Sequence, residues 1–428
     1  MRYRTDYNPT QLNNSPQTLM IGPWRLQYLA YATHSHDSRQ PVLFIGGAFQ
    51  SFRSFSHEVG ELLADHPVIL LDLPGQGGNL QPAGELSLED LADLIAGFIS
   101  ELNLPAVMPI GLSYGSALAA LFACRHPGKC YRLLLSGVAA FGRPGARLLL
   151  EESLHILEQG DIKLFAQGVV SGLINPLRIE ETGISPTFQK ALLRQLQRLS
   201  GSDIQRYQQN SRRLLDFQGF DAHPKCPTLI IAGEYDHFTQ PWEHAHFAAA
   251  CADAEFAIIN NADHLAQLER RPSCSQLYLP FLQGRTLPMQ CAGVRRIKSH
   301  SLLQLERRQE ARTPPPQAQA RLRSIDGREW HAEIVELGFF GGLLRTEYTQ
   351  QLPVRGWQLL LQELEPQGIL LVHQSTQGAA FIFTHADARA SQALAHYIRR
   401  AYAYQGLTYG RERLSPSQAL SRLAGPNL

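Results

Sequence analysis

The chain has 428 residues, of which 44% are hydrophobic and 18% charged, a globular balance that excludes a disordered or fibrous protein. At about 150 residues per domain, this length predicts two or three domains. Lys and Arg number 39 against 38 Asp and Glu, so the whole-chain charge favours no nucleic-acid partner. Residues 284–428, however, contain 18 Lys and Arg and 11 Asp and Glu, which indicates a basic C-terminal domain with an anionic ligand.

The N-terminal residues and the cysteines predict the cellular compartment of the protein. Residues 1–20 lack the apolar segment of a signal peptide, and the chain nowhere has 18 consecutive apolar residues. The six cysteines form no C-x-x-C pair and no spacing typical of metal ligands. We therefore expect a cytoplasmic protein with reduced thiols, no transmembrane segment and no bound metal.

Short apolar runs alternate with helical patterns through the first two thirds of the chain. This alternation predicts a parallel sheet covered by helices on both faces, in a domain at residues 19–283. The predicted strands are 42–45, 68–71, 107–110, 133–136, 229–232 and 256–259. A segment rich in Leu, Gln and Arg, at about residues 142–219, interrupts the alternation, and we interpret it as a helical cap over the sheet.

The remaining third has a different pattern. Residues 284–300 are rich in Gly, Pro, Gln and basic residues, which is typical of a linker. Short alternating segments follow without intervening helices, at 330–335, 343–348, 357–361, 369–373 and 380–384, and they predict a small antiparallel β-barrel. We assign this domain to residues 301–410, including a C-terminal helix at 388–402, and interpret residues 411–428 as a tail.

A serine motif lies at the end of the third predicted strand. Gly111-Leu-Ser113-Tyr-Gly115 follows that strand directly and precedes a helix of small residues, as in a nucleophile elbow. Asp236 and His264 each follow a later predicted strand, so the chain order is Ser, Asp, His. These three residues are our candidate nucleophile, acid and base; Asp263 is a weaker alternative acid because it adjoins His264.

Two further motifs complete the pattern. Residues 46–49, Gly-Gly-Ala-Phe, follow the first strand, and the backbone amides of Ala48 and Phe49, with that of Tyr114, are candidates for an oxyanion hole. Residues 72–77, Asp-Leu-Pro-Gly-Gln-Gly, follow the second strand. With these motifs the sequence resembles the α/β-hydrolase superfamily, which implies an α/β-hydrolase fold and acyl chemistry that needs no cofactor.

One subgroup of that superfamily resembles the chain more closely. Residues 47–55, 235–239 and 264–269 are similar to segments of the hydroxyalkanoyloxy-alkanoate synthases of rhamnolipid biosynthesis. That resemblance implies a 3-hydroxyacyl acyltransferase supplied by acyl carrier protein, and a lipid surfactant precursor as product. The chain departs from the subgroup at Gly111, so hydrolysis of an acyl ester or thioester remains the leading interpretation.

A second group of candidate residues precedes and enters the barrel. Arg307, Arg308 and Arg312 form an R-x-x-x-R motif at the start of the domain. The segment 336–341, Glu-Leu-Gly-Phe-Phe-Gly, follows about two dozen residues later. The pair resembles the PilZ domain, whose R-x-x-x-R and D/N-x-S-x-x-G motifs bind cyclic di-GMP. Guanidinium groups suit such a ligand because they pair with phosphate and with guanine.

The second motif departs from that of the PilZ family. Glu336 replaces Asp or Asn, Gly338 replaces Ser, and only Gly341 matches. The resemblance therefore implies cyclic di-GMP as a regulatory ligand, bound more weakly than by an intact motif. A solvated basic linker and a degenerate domain without nucleotide are the alternatives. For the whole chain, the alternatives to a regulated enzyme are a catalytically inactive docking protein and a membrane-associated enzyme.

Overall fold

The computed structural model of the protein describes residues 1–13, 15–137, 142–307, 310–346, 352–375 and 378–404. The chain divides into two compact units, Met1–Gln309 and Glu310–Leu428. The first contains a nine-stranded sheet with its helices, and the second contains a closed β-barrel.

The sheet of the first unit has the order β1-β2-β4-β3-β5-β6-β7-β8-β9. Pairing is parallel from β4 through β8 and antiparallel at both ends, where β1, β2 and β9 lie. The central strands β3 to β7 are buried along their whole length, because helices cover both faces of the sheet. The strands are β1 Gln17–Ile21, β2 Trp24–Tyr31, β3 Val42–Ile45, β4 Val68–Asp72, β5 Met108–Leu112, β6 Leu133–Ser136, β7 Thr228–Gly233, β8 Ala254–Ile259 and β9 Val294–Ile297.

Four helices of this unit, α2, α5, α6 and α7, begin at a residue whose side chain accepts a hydrogen bond from the first turn. Ser87 starts α2 with a capping box, in which its hydroxyl accepts from the backbone N–H of Asp90 and the Asp90 carboxylate accepts from the backbone N–H of Ser87. The helices are α1 Ser56–Leu62, α2 Leu88–Glu101, α3 Tyr114–Arg125, α4 Pro144–Glu158, α5 Ile162–Leu173, α6 Pro186–Gln197, α7 Gly201–Asp216, α8 Pro241–Ala250, α9 Ala266–Glu269 and α10 Arg271–Leu282.

Helices α4 to α7 lie between β6 and β7 and form the cap. Helix α4 packs on α5 and α7, and α5 packs on α6. The cap is joined to the rest of the unit through polar side chains of α7, which we call the α7 seam. In the seam, Arg206, Asn210 and Arg213 donate hydrogen bonds to the backbone carbonyls of Gly77, of Gly75, and of Ala83 and Leu86.

The segment predicted as a linker, residues 284–300, differs from that expectation. It contains β9, which pairs antiparallel with β8 from Val294 opposite Ile259 to Ile297 opposite Phe256. A 3-10 helix at Ser299–Gln304 follows and packs on α8. The linker interpretation was wrong because an edge strand needs only one paired neighbour, so two arginines in its centre can remain half-exposed.

The second unit is a barrel of six antiparallel strands in the order β10-β11-β12-β15-β14-β13, closed by pairing of β13 with β10. Its strands are β10 Gln319–Ser324, β11 Glu329–Gly338, β12 Gly341–Thr346, β13 Trp357–Leu361, β14 Gln367–Ser375 and β15 Gly378–Phe383. Helix α11, Ala388–Tyr404, follows. The sequence analysis missed β10, and the predicted tail at 411–428 lies outside the described residues.

Among the helices in the described part of the chain, none is long and apolar enough to cross a membrane.

Candidate active site

Ser113 lies at a sharp turn between β5 and α3. Its φ of 51° and ψ of −119° are unfavourable for a residue with a side chain, at a cost of about 1–3 kcal/mol. A Cβ atom on Gly111 would lie 2.6 Å from the carbonyl oxygen of Gly115, and one on Gly115 would lie 2.6 Å from that of Gly46. Both glycines of the motif are therefore required for the turn, which presents the serine hydroxyl at the carboxyl end of β5.

The structure brings the three predicted residues together. The Ser113 Oγ is 3.0 Å from the His264 Nε2, and the His264 Nδ1 is 2.8 Å from the Asp236 Oδ2. Asp236 follows β7 and His264 follows β8, so both reach the same edge of the sheet as Ser113. With Nδ1–H donating to Asp236, the Nε2 lone pair faces the serine hydroxyl, as a general base requires.

Asp236 remains ionised although it is fully buried. Burial raises the pKa of its carboxyl, but the charge of His264 and the hydrogen bonds that it accepts have the opposite effect, and the net pKa lies below the usual value. Its Oδ1 accepts from the backbone N–H groups of Phe238 and Thr239 at 3.1 and 2.8 Å, and its Oδ2 from the Thr239 hydroxyl at 2.8 Å. These donors fix the carboxylate in the orientation that holds the imidazole.

Two neighbours of His264 were not identified from the sequence. The Thr239 Oγ1 lies 3.2 Å from the His264 Nδ1 while donating to Asp236. Gly137 has a φ of 66°, and a Cβ atom there would lie 2.9 Å from the His264 Cε1. Thr239 lies in the segment 235–239, which is similar to the hydroxyalkanoyloxy-alkanoate synthases, and this similarity could have identified it. No sequence pattern identifies Gly137, because more than a hundred residues separate it from His264.

The loop after β3 supplies backbone donors beside Ser113. A Cβ atom on Gly47 would lie 3.2 Å from the Cβ of Ser113, so this loop passes very close to the nucleophile. The Gly47 N–H already donates to the Gln50 Oε1 at 2.7 Å, which holds the loop in place. Within the described residues, no acceptor is recorded for the N–H groups of Ala48 and Phe49 or for that of Tyr114, the first residue of α3. These amides are the oxyanion-hole candidates.

Behind the triad, Asp263 links the cap to the loop that carries His264. Its carboxyl accepts from the backbone N–H of His264 at 2.9 Å and from that of Asn175 in the cap. Burial, together with the charges of Asp236 and Glu269, raises the pKa of Asp263 well above its usual value. Burial likewise raises the pKa of Glu269, which accepts from the Asp263 N–H, to about 7.

An apolar cluster of the cap packs against the loop that follows β3. Its buried residues come from α5, α6 and the segments that follow α5. Phe49 packs against this cluster and stacks on Tyr207 of α7 at a ring distance of 5.2 Å. The half-buried members are Phe49, Val169, Leu173, Ile179, Phe188, Leu192, Leu193 and Leu199. Apolar surface beside a nucleophile suits an acyl chain.

The predicted nucleotide-binding residues fall into three groups. Arg307 lies in the first unit, with its guanidinium 5.0 Å from the ring centre of Trp242 at the start of α8. Arg308 lies outside the described residues. Arg312 belongs to the second unit, where a Cβ atom on Gly338 would lie 3.4 Å from the Arg312 Cγ.

The barrel brings the end of the arginine motif beside the second motif. Thr313 pairs antiparallel with Leu337 of β11, with N–H···O distances of 3.0 and 2.8 Å. Glu336 is half-buried next to a β-bulge in the same strand, and Gly341 follows the two-residue turn into β12. At Gly341 a Cβ atom would overlap the backbone of Phe381, so this glycine is needed for strand pairing.

The sequence model of the alpha/beta hydrolase family matches residues 42–273, more than half of the chain. The chain belongs to this family, and the predicted α/β-hydrolase fold is confirmed. The match covers the sheet from β3 to β8 and all three triad residues.

Individual relatives are similar at a lower level. The chain is 26% identical to 2-hydroxy-6-oxononadienedioate/2-hydroxy-6-oxononatrienedioate hydrolase 2 of Pseudomonas putida, over 56% of this chain and 85% of that protein. It is 24% identical to the (R)-3-hydroxydecanoyl-ACP:CoA transacylase of Pseudomonas aeruginosa, over 64% of this chain and 93% of that protein. The crystal structure of an alpha/beta hydrolase enzyme from a Medee basin deep-sea metagenome library covers 64% of this chain with a TM-score of 0.55 and 18% identity.

Proposed function

We propose that the protein is a serine-dependent hydrolase of acyl esters or thioesters. Ser113 Oγ attacks the acyl carbonyl carbon as its proton passes to His264 Nε2. The resulting oxyanion accepts hydrogen bonds from the Tyr114 N–H and from the loop amides of Ala48 and Phe49. His264 then protonates the leaving alcohol or thiol, and a water molecule deprotonated by His264 releases the acid from Ser113. Asp236 stabilises the imidazolium in both steps.

The hydrogen-bonded chain from Ser113 through His264 to Asp236 carries this proposal. Its two contacts, 3.0 and 2.8 Å, lie within the range in which a base can activate a nucleophile. Family membership adds support, because hydrolases and a transacylase occur among the relatives. A docking protein without catalysis would not need a strained serine, a buried ionised aspartate and free loop amides together.

The test is the loss of reaction in Ser113→Ala. The substitution should leave the fold intact and reduce turnover of p-nitrophenyl esters by a factor of about 10⁶, because nucleophile and base act as one unit. It should also abolish labelling by a fluorophosphonate probe. Ser273→Ala is the matched control, since that hydroxyl donates to the backbone of Ala292 far along the chain from the motif. Ser113-independent labelling and turnover would contradict the proposal.

A second candidate is transfer of the acyl group to a hydroxyacyl acceptor instead of water. The relative from Pseudomonas aeruginosa is by name a transacylase of 3-hydroxydecanoyl groups, and the cap cluster offers apolar surface next to Phe49 in the loop after β3. This candidate includes acyl carrier protein as donor and a lipid surfactant precursor as product. Incubation with 3-hydroxyacyl carrier-protein thioesters, followed by mass spectrometry, separates the two: a free acid supports hydrolysis, and a dimeric hydroxyacyl ester supports transfer.

We further propose that cyclic di-GMP regulates this activity through a PilZ-like barrel. The closed six-stranded barrel and the pairing of Thr313 with Leu337 support it, because this pairing brings the two halves of the motif side by side. Arg312 would pair with a phosphate or guanine edge of the ligand, and Arg308 with another. The absence of a side chain at Gly338 removes one hydroxyl contact, at a cost of about 1 kcal/mol, or roughly fivefold in affinity.

Within the first unit, Arg307 is connected through α8 to the loop that carries Asp236. The Trp242 that it covers donates through its indole N–H to Gln240, the residue that caps α8. On the same helix Glu243 pairs with Arg143, which donates to the backbone carbonyls of His237 and Phe238. Those residues directly follow Asp236. Withdrawal of Arg307 from Trp242 by the ligand would therefore act on the loop that holds the acid.

A further inference from the structure

Four cysteines lie near one another at the edge of the sheet opposite the triad. Cys130 precedes β6 and Cys226 precedes β7, and their Sγ atoms are 3.5 Å apart. The two strands are parallel neighbours, and the backbone N–H of Leu133 donates to the carbonyl of Pro227 at 3.0 Å. Both thiols are therefore held on backbone segments that are fixed by the sheet. Cys124 and Cys251 lie close enough to interact electrostatically with Cys226.

We propose that Cys130 and Cys226 form a reversible disulfide when the protein meets hydrogen peroxide. A disulfide requires an S–S distance of about 2.05 Å, so the sulfur atoms must approach by about 1.5 Å. Side-chain rotation supplies movement of this size without displacing the strands.

The reaction begins at Cys226. Its thiolate attacks one oxygen of the peroxide, the O–O bond breaks, and hydroxide leaves, so that the sulfur becomes a sulfenic acid. The Cys130 sulfur then attacks that sulfur, an S–S bond forms, and the hydroxyl leaves as water with the proton of Cys130. Two thiols and one peroxide thus give one disulfide and two water molecules. Exchange with an added dithiol reverses the reaction.

The environment favours Cys226 over its neighbours as the attacking group. Cys226 is half-buried, whereas Cys130 is buried. A hydrogen bond from the Cys130 thiol lowers the pKa of Cys226, while the same contact and burial raise that of Cys130. Burial raises the pKa of Cys124 to about 11 and that of Cys251 to about 12. Their thiols donate to backbone carbonyls, at 3.0 Å for Cys124 and 3.3 Å for Cys251.

The bond would connect the two chain segments between which the whole cap is inserted. Residues 130 and 226 flank α4 to α7, so the disulfide closes a loop that contains the cap. It lies at the amino ends of β6 and β7, whereas Ser113 lies at the carboxyl end of β5. We therefore expect greater thermal stability with unchanged turnover, because closing a long loop restricts the unfolded chain.

The experiment treats the full-length protein with hydrogen peroxide and follows three readouts. The number of reactive thiols in denaturant should fall by two, tandem mass spectrometry should find the peptides of Cys130 and Cys226 cross-linked, and Tm should rise by about 5–10 °C. Dithiothreitol should reverse all three changes. Cys226→Ser should prevent them, and Cys291→Ser, a half-buried thiol outside the cluster, should not.

Three outcomes would overturn the proposal. Oxidation that leaves the thiol count unchanged shows that the pair is inert. A cross-link from Cys226 to Cys124 or Cys251 identifies a different pair. Oxidation that stops at a sulfinic acid on Cys226, with Cys130 still free, shows that Cys130 does not reach it.

Discussion

Two aspartates lie beside His264, and their surroundings give them different tasks. Asp236 faces the Nδ1 of the ring, and its pKa is held below the usual value despite burial. Asp263 accepts from the backbone N–H of His264 instead, and burial raises its pKa. In the proposed reaction Asp236 is therefore the residue that stabilises the imidazolium, whereas Asp263 joins the loop of His264 to Asn175 of the cap.

Replacing each aspartate by asparagine separates these tasks. Asp236→Asn presents an amide donor to His264, favours the wrong tautomer, and should reduce kcat by about 10⁴. Asp263→Asn keeps one acceptor and loses the second, which should destabilise the fold by about 1–3 kcal/mol and lower kcat less than tenfold. Steady-state kinetics and thermal unfolding of both variants are the measurements. A silent Asp236→Asn beside an inactive Asp263→Asn would reverse the assignment.

Asp72 should make stability depend on pH. Burial raises its pKa from 3.8 to about 7, although the Gly78 N–H and Arg206 partly offset this effect. Between pH 4 and 7 the folded state therefore holds a proton that the unfolded state has lost. The resulting stabilisation is complete below the unfolded pKa and is lost as pH rises through about 7, with a total of about 4 kcal/mol.

Asp72→Asn resembles the protonated acid and should remove this dependence. Thermal unfolding from pH 4 to 8 is the measurement, and the variant should gain stability relative to the wild type as pH rises. Glu269 contributes with the same sign in both proteins, so the difference between them isolates Asp72. Parallel curves would show that Asp72 titrates normally.

The three candidate residues that meet in the structure could be selected from the sequence because each follows a recognisable apolar strand. Chain order and strand ends sufficed to select Ser113, Asp236 and His264. The contact of Asp263 with Asn175 joins residues 88 positions apart, and no local pattern encodes it. The position of Gly137 next to His264 could not be predicted from the sequence for the same reason.

The apolar residues of the cap helices fall into two sets, the buried ones of α4 and the half-buried ones of α5 and α6. The sequence of α4 is rich in leucine, including Leu148, Leu149 and Leu150, and such residues can either line a pocket or pack the cap. Leu150, Leu154, Ile156 and Leu157 are buried in a helix that packs on α5 and α7, so they contribute to the packing within the cap. The half-buried residues of α5 and α6, next to Phe49, are better placed to meet an acyl chain.

Enlarging a side chain in this cluster should shorten the preferred acyl chain. Val169→Phe adds volume next to the expected chain, and discrimination of about 1–3 kcal/mol per methylene is typical of such pockets. The measurement is kcat/KM on p-nitrophenyl esters from acetyl to dodecanoyl. Leu148→Phe, on half-buried α4 surface outside the cluster, is the control. Wild-type activity that is highest on acetyl esters would exclude an acyl pocket.

Among the described strands, sequence reasoning missed β1, β2, β9 and β10. β9 reads Val-Arg-Arg-Ile and is half-exposed throughout, and β10 buries only alternate residues among Gln and Arg. Each is a strand because a neighbour supplies its backbone partners, β8 for the first and β11 and β13 for the second. β2 was missed although most of its residues are buried, whereas the central strands β3 to β8 were found from their own sequence.

At the scale of the whole molecule, the proposed control of activity by cyclic di-GMP depends on binding of the nucleotide at the barrel motif. Calorimetry on the full chain should detect cyclic di-GMP binding, Arg312→Ala should weaken it at least tenfold, and Gly338→Ser should strengthen it about fivefold. A Cβ atom at Gly338 would meet the Ala311 carbonyl oxygen at 3.3 Å, so serine needs only a small adjustment. Arg321→Ala is the control, because this exposed arginine pairs with Glu329 on the barrel.

The same titration with cyclic di-GMP, monitored by the rate of ester hydrolysis, tests whether the nucleotide regulates turnover. Turnover should change as the ligand saturates the wild type, and the effect should require differential affinity for two states of the protein. Binding without any change in turnover would leave the barrel as a nucleotide-binding domain that is not coupled to Ser113. No heat at high micromolar nucleotide would identify a degenerate domain.

The α7 seam is encoded almost entirely on one of its two sides. All of its donors are side chains of the cap, whereas all of its acceptors are backbone carbonyls of the body. Body residues at the seam can therefore vary as long as the backbone path is kept, which depends on Gly75 and Gly77 with φ of 77° and 48°. On the cap, Arg206, Asn210 and Arg213 must retain their chemistry. A different cap grafted onto this body would therefore need these three side chains, together with the backbone N–H of residue 175 that donates to Asp263.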